Sequence, residues 1–165
     1  MRIINHVVMV IAAIGTLTVG QAASATTYYE IVARHSNKCL DVQDASLAHG
    51  ADVLQADCYG TYNQQWKLVY NSDGYYAIIA RHSNKCLDVQ DASFAHGANV
   101  LQADCYGTYN QQWKLVRNSY GYYAIIARHS GMCLDVQNAS LDHGANVLQA
   151  NCWGGYNQQW SFYLP

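Results

Sequence analysis

The sequence predicts an all-β protein that closes on itself by threefold repetition, and three observations carry that expectation. Asn-Gln-Gln-Trp occurs at Asn63–Trp66, Asn110–Trp113 and Asn157–Trp160, 47 residues apart each time. Six cysteines keep the same period. No segment sustains a helical hydrophobic period, whereas short β-branched and aromatic runs recur between turn residues. Fixed-period self-similarity marks an array of small units, none of which can bury its apolar face alone.

The second unit shows each element in order. Tyr75–Ala80 is β-branched and aromatic, as strands prefer. His82–Lys85 is a tight turn rich in polar turn formers. Cys86–Val89 is a second strand, Asp91–Gly97 a loop, Val100–Ala103 a third strand and Gln112–Val116 a fourth. Asn118–Gly121 turns the chain into the next unit. Four strands per unit give about twelve, and a closed threefold arrangement of them removes exposed sheet edges. Residues 33–69 and 80–116 differ only at Leu47 against Phe94 and Asp52 against Asn99. The third unit has drifted: Asn138 stands where the others have Asp44 and Asp91, and Asn151 and Trp153 where the first has Asp57 and Tyr59.

The first 25 residues lie outside the repeat. Arg2 gives a positive start, residues 7–20 are mostly apolar but too short to span a bilayer, and Ala23-Ser24-Ala25 is a small-x-small pattern. This reads as a secretory signal peptide cleaved after Ala25, leaving residues 26–165 as one domain with repeats at about 28–74, 75–121 and 122–165. The expected location is therefore extracellular. No second hydrophobic segment and no block of Lys/Arg occurs, so neither a membrane span nor nucleic-acid binding is expected. Only 12% of residues are charged while tyrosines number 14, which suits a polar, weakly charged ligand surface.

Each unit holds two cysteines 19 residues apart. Symmetry among equivalent units selects Cys39–Cys58, Cys86–Cys105 and Cys133–Cys152 as disulfides, each closing a loop and stabilising by on the order of 3 kcal/mol in the chain-entropy model. A secreted chain favours disulfides. The rival, zinc, usually needs closely spaced ligands such as C-x-x-C, which the sequence lacks. No cofactor or metal is expected.

The repeated Cys-Leu-Asp-Val (39–42, 86–89, 133–136), the second cysteine of each pair and the closing Q-x-W of each Asn-Gln-Gln-Trp resemble the ricin B-type lectin repeat, also called the R-type lectin or family-13 carbohydrate-binding module. The resemblance covers about residues 28–165. It implies a β-trefoil with pseudo-threefold symmetry and up to three shallow sugar sites.

A sugar site needs a fixed carboxylate for vicinal hydroxyls, an amide that both donates and accepts, and a ring under the apolar C–H face. The resemblance assigns the carboxylate to Asp41, Asp88 and Asp135, and the ligand amide to Asn63, Asn110 and Asn157. Gln64, Gln111 and Gln158 follow as their orienting partners and are counted with the sugar-binding set. Asp44 and Asp91 match a family position that touches ligand, largely through backbone. The remaining Q-x-W residues, Gln65, Gln112, Gln159, Trp66, Trp113 and Trp160, are assigned to the core. One departure stands out: Ala56, Ala103 and Ala150 occupy the position where many family members place the stacking ring. Tyr59, Tyr106 and Trp153, which follow the second cysteine, are the favoured replacements; Tyr62, Tyr109 and Tyr156 are the alternative. His49, His96 and His143 could reach a ligand edge, but the favoured reading is a solvated loop histidine. Ser36, His35 and Asp41 are sequence neighbours without a nucleophile-elbow context, so the chain is expected not to be an enzyme. The functional expectation is a secreted lectin with two or three equivalent sites for galactose- or xylan-type ligands, engaging multivalent cell-surface glycans. The competing expectation is a trefoil interaction or inhibitor scaffold with vestigial sites.

Overall fold

The computed structural model describes residues 25–165, so the expected signal peptide lies outside the described residues. Those residues form twelve strands. In the first unit they are β1 (Tyr29–Ala33), β2 (Cys39–Val42), β3 (Ala51–Ala56) and β4 (Gln65–Tyr70). The second unit supplies β5 (Tyr76–Ala80), β6 (Cys86–Val89), β7 (Val100–Ala103) and β8 (Trp113–Arg117). The third supplies β9 (Tyr123–Ala127), β10 (Cys133–Val136), β11 (Val147–Ala150) and β12 (Trp160–Tyr163).

The first and last strands of the units pair in a closed antiparallel cycle, β1–β4–β5–β8–β9–β12 and back to β1. The middle strands form three hairpins, β2–β3, β6–β7 and β10–β11, that cap one end of this ring. Contacts between hairpins run the same way round: β3 pairs β7, Asn99 bridges Leu148, and Leu54 bridges Asn146. This is the threefold β-trefoil that the resemblance implied. The strand spans agree with expectation to within a residue in the second unit.

Turn chemistry follows the sequence. Asn37, Asn84 and Gly131 take positive φ (56°, 56° and 69°) in the tight turn before the second strand of each unit, where only Gly and Asn/Asp sit comfortably. Asn71 and Asn118 fold the connections between units by accepting backbone N–H bonds on Oδ1. Two short helical turns per unit were not foreseen. Residues 43–45, 90–92 and 137–139 include consecutive left-handed residues at Asp44/Ala45, Asp91/Ala92 and Asn138/Ala139. Residues 62–64, 109–111 and 156–158 form the second turn, within the Asn-Gln-Gln-Trp motif.

The core lies on the pseudo-threefold axis. Trp66, Trp113 and Trp160 are wholly buried with Leu40, Leu87, Leu134, Ile31, Ile78 and Ile125. Each indole N–H donates to a carbonyl of the second strand: Trp66 to Leu40 at 3.0 Å, Trp113 to Leu87 at 3.0 Å and Trp160 to Leu134 at 3.1 Å. The three disulfides pair as symmetry required.

The assignment of Gln65, Gln112 and Gln159 to the core is corrected. Gln65 is buried, but Gln112 and Gln159 are only half-buried, and all three are polar bridges between units. Each Nε2 donates to a loop carbonyl, of Gly60, Gly107 or Gly154, at 2.8–2.9 Å. Each Oε1 accepts from an arginine of another unit, Arg81, Arg128 or Arg34. An amide with two polar ends is stable at such a seam because both ends are satisfied there. The same arginines lie over the rings of Tyr62, Tyr109 and Tyr156, 3.8–3.9 Å from the centroids.

Replacing Trp113 by Ala should destabilise by about 3–5 kcal/mol, because it removes a large core side chain and strands a buried carbonyl. Denaturant unfolding with the disulfides intact measures it; a loss under about 1 kcal/mol would contradict the role given to the indole.

Candidate functional site

Three open pockets repeat with the units, of about 470, 430 and 510 Å³ for the first, second and third. The first is lined by Asp41, Asp44, Tyr59, Asn63, Ala56 and, from the third unit, His143. The second holds Asp88, Asp91, Tyr106, Asn110, Ala103 and His49 of the first unit. The third holds Asp135, Asn138, Trp153, Asn157, Ala150 and His96 of the second unit.

The carboxylates are nearly buried, with 6%, 6% and 4% of Asp41, Asp88 and Asp135 exposed, yet each reaches its pocket. Each follows the leucine whose carbonyl the core indole holds, so the core fixes its backbone. Asn63 Nδ2 donates to Asp41 Oδ1 at 3.1 Å and Asn110 Nδ2 to Asp88 Oδ1 at 3.0 Å. The three asparagines also donate to the carbonyls of Val42, Val89 and Val136, each at 3.1 Å. In the third site Asn157 Oδ1 is buried without a partner.

Gln64, Gln111 and Gln158 are buried beside the carboxylates. Only 0–1% exposed, each donates through Nε2 to its aspartate Oδ2 at 2.7–2.8 Å and to the carbonyl of residue 57, 104 or 151. Each Oε1 accepts the backbone N–H of Tyr59, Tyr106 or Trp153. With every amide hydrogen spent, these glutamines are placed to orient the carboxylate and the ring-bearing loop together.

Burial raises the carboxyl pKa of Asp41, Asp88 and Asp135, and the glutamine and asparagine amides oppose it. At Asp135 the Trp153 indole opposes it as well. Asp57 and Asp104 move the other way, held below the usual range first by hydrogen bonds from Lys38 and Lys85.

The alanines at 56, 103 and 150 are nearly buried and line the pocket floors, leaving them without a ring. Tyr59, Tyr106 and Trp153 stand in the walls, about two-thirds exposed (65%, 66% and 66%). Tyr62, Tyr109 and Tyr156 line none of the three pockets and carry the seam arginines instead. Ser36 and His35 do not meet Asp41: the serine hydroxyl donates to Gln55 and the imidazole Nε2 bonds the carbonyl of Ser140.

The histidines of the 49, 96 and 143 loops take the less favoured of their two readings, at a pocket edge, and the unit each one serves is what sequence reasoning missed. Each is exposed but lines the site of a neighbouring unit. Buried Gln55, Gln102 and Gln149 grip those loops. Gln55 Nε2 donates to the carbonyls of Ser140 (2.8 Å) and Asp142 (2.9 Å), and Gln102 to those of Ser46 and Ala48. Gln149 does so to Ser93 and Ala95. The histidine Nδ1 atoms accept the backbone N–H of Asp57, Asp104 and Asn151 at 3.1–3.2 Å. The equal 47-residue spacing of those histidines was visible, but nothing in it tells which unit a loop leans on.

A family comparison now decides membership, since the model of the ricin-type beta-trefoil lectin domain matches residues 27–160. The chain belongs to that family. Among solved structures, this ricin-type lectin domain is similar to a designed threefold-symmetric protein, ThreeFoil, at 56% identity and a TM-score of 0.81, over 82% of this chain and 96% of that one. It is also similar to part of an exo-beta-1,3-galactanase from Clostridium thermocellum, at 38% identity and a TM-score of 0.83, over 86% of this chain but only 31% of that one. The ricin B-like lectin of Macrolepiota procera, solved with lactose, shares the fold at 16% identity and a TM-score of 0.73, over 86% of this chain and 98% of that one. No curated protein matches the chain. As a ricin-type lectin domain it is a carbohydrate-binding module, and it corresponds to a minor part of the galactanase chain.

The third lectin unit hides a coupled change. Trp153 replaces tyrosine, and Gly155 stands where the other units have Thr61 and Thr108. A Cβ on Gly155 would lie 2.0 Å from the indole ring of Trp153, so the larger ring requires the missing side chain. Gly155→Thr should therefore displace Trp153 and shift its indole N–H resonance, while the three buried indoles stay in place. An unmoved Trp153 signal in the folded variant would refute the coupling.

The raised carboxyl values set a pH sign. A folded-state pKa above the unfolded one means that the native state holds the proton more tightly, so the contribution of Asp41, Asp88 and Asp135 to stability falls as pH rises through that window. Once protonated, each loses the charge that hydroxyls bond most strongly. Ligand retention should thus fail on acidification above the pH where an ordinary carboxylate protonates, before the fold does; parallel binding and circular dichroism titrations read the order of the two losses.

Proposed function

We propose that the protein is a secreted lectin with three small-sugar sites, each taking a galactose-type residue of a larger glycan. The observation that carries this reading is the threefold juxtaposition, in one open pocket, of a nearly buried aspartate, an asparagine locked beside it and an exposed ring. In the first site these are Asp41, Asn63 and Tyr59, in the second Asp88, Asn110 and Tyr106, in the third Asp135, Asn157 and Trp153. The aspartate accepts from vicinal hydroxyls, the ring covers the C–H face, and the asparagine, whose two amide hydrogens are held by the aspartate and a valine carbonyl in the first two sites, fixes the carboxylate and offers only its Oδ1 to a hydroxyl. Asp44 and Asp91 stand at the rims of the first two pockets. The galactose preference is supported by the galactanase whose module is 38% identical.

Such pockets are open and wet, so each sugar binds weakly; three on one rigid body give avidity on a dense cell-surface glycan. Secretion is supported by the character of residues 1–25 and by three disulfides, which persist in oxidising compartments. Among the described residues no helix is long and apolar enough to cross a membrane.

A glycan array with the oxidised protein tests the reading directly. Replacing Tyr59, Tyr106 and Trp153 together by Ala should reduce retention on a galactose resin to background with the circular dichroism spectrum kept. Asp88→Asn should weaken the second site about tenfold, the scale of one charged hydrogen bond. Unchanged retention in the triple variant would remove the ring from the site, and a folded protein silent on every glycan would favour the interaction scaffold.

A further inference from the structure

The three sites share their chemistry at the floor but differ in charge at the rim. Exposed Asp44 and Asp91 edge the first and second pockets, and neutral Asn138 edges the third. A second difference lies behind the histidine. Asp57 bonds Lys38 and stands 3.5 Å from His143, and Asp104 bonds Lys85 and stands 3.5 Å from His49. In the third unit both members are gone, with Met132 for the lysine and Asn151 for the aspartate. Because each lysine offsets its aspartate, the net distinction rests on Asp44 and Asp91 against Asn138. The loop that brings His143 to the first site adds an acid, Asp142, where the corresponding loops have Ala48 and Ala95. The first and second rims are therefore acidic and the third is not.

We infer that, granted the sugar-binding reading, the sites divide by ligand charge: the first and second select neutral sugars, and the third also admits sugars that bear a carboxylate. A sugar held by the aspartate carries its remaining substituents toward the rim. There an anionic group meets Asp44 or Asp91 in two pockets and the Asn138 amide, which can donate to it, in the third. Like charges several ångströms apart in a partly aqueous setting disfavour binding by roughly three- to tenfold. Salt should screen that penalty, because the rim carboxylates are exposed.

The test compares matched neutral and acidic sugars site by site. Galactose with galacturonate, and glucose with glucuronate, exchange a hydroxymethyl for a carboxylate at one carbon. Titrations of the oxidised protein followed by NMR read the sites separately, through the amides of residues 44, 91 and 138 and the Trp153 indole N–H. The expected result is an acidic-to-neutral affinity ratio at least threefold higher at the third site than at the first and second, narrowing as salt is raised. Asn138→Asp should pull the third-site ratio down to that of the second, and Asp91→Asn should raise the second; both positions are exposed, so the fold tolerates the exchange. Equal ratios at all three sites, a difference indifferent to salt, or ratios unmoved by both substitutions would overturn the inference while leaving sugar binding in place. Silence toward all four sugars at every site would instead overturn the sugar-binding reading, and this inference with it.

Discussion

The hydrogen bond from each core indole to the leucine carbonyl of its own unit is the constraint on which both fold and site depend. Trp66, Trp113 and Trp160 bury the largest side chains on the threefold axis, and their N–H groups have one partner there. A buried indole donor left unpaired would cost on the order of 1–3 kcal/mol, so the ring can settle only where that carbonyl is. The bond joins the end of the Asn-Gln-Gln-Trp motif to the middle of Cys-Leu-Asp-Val. The residue after the bonded leucine is the site aspartate; those two and three places before the tryptophan are the glutamine and asparagine that hold it. Core packing and the geometry of the candidate site are thus two ends of one short assembly, braced further by the disulfide at the head of the aspartate's strand.

Closure of the ring adds what a single unit cannot supply. Gln55, Gln102 and Gln149 each take two carbonyls from the loop of another unit, and His35, His82 and His129 bond the same serine carbonyls. That grip carries His143, His49 and His96 to the first, second and third pockets. The first site is completed by the last unit, so it exists only once the chain has closed. A single repeat would lack a full site wall, and a fragment of the first two would carry the residues of the second site only, without the closed core.

What was legible in the sequence is what lies within one period. Strands, turns, the cysteine pairing and the aspartate–asparagine pair depend on residues of one unit, and the repeat displays each of them three times. What was not legible depends on the direction in which units lean. No spacing distinguishes a loop folded on its own unit from one folded on the next, so the unit that each histidine serves stayed hidden. Gln112 and Gln159 looked like core for the same reason: their arginine partners belong to other units, and a polar seam has no hydrophobic period to betray it. The left-handed pairs at Asp44/Ala45 and Asp91/Ala92 were hidden too, since alanine does not advertise a positive φ (47° and 48°).

The drift of the third unit shows which parts of the repeat are free to change. Leu134, Asp135, Val136, Gln158 and Trp160 match their counterparts in both other units, and all are buried. The changes fall outside that set, among them Met132, Asn138, Asp142, Asn151, Trp153 and Gly155, and one of them, Phe162 for Leu68 and Leu115, lies half-buried against the core. Loss of the lysine–aspartate pair costs the fold little, because the aspartate of the pair is exposed and solvent screens the attraction. Trp153 with Gly155 is the exception that proves instructive, for there a wall residue could enlarge only when the backbone beneath it lost its side chain. Stability therefore constrains the wholly buried residues of each unit and leaves the pocket rim open, so a threefold scaffold can diversify its surface one site at a time.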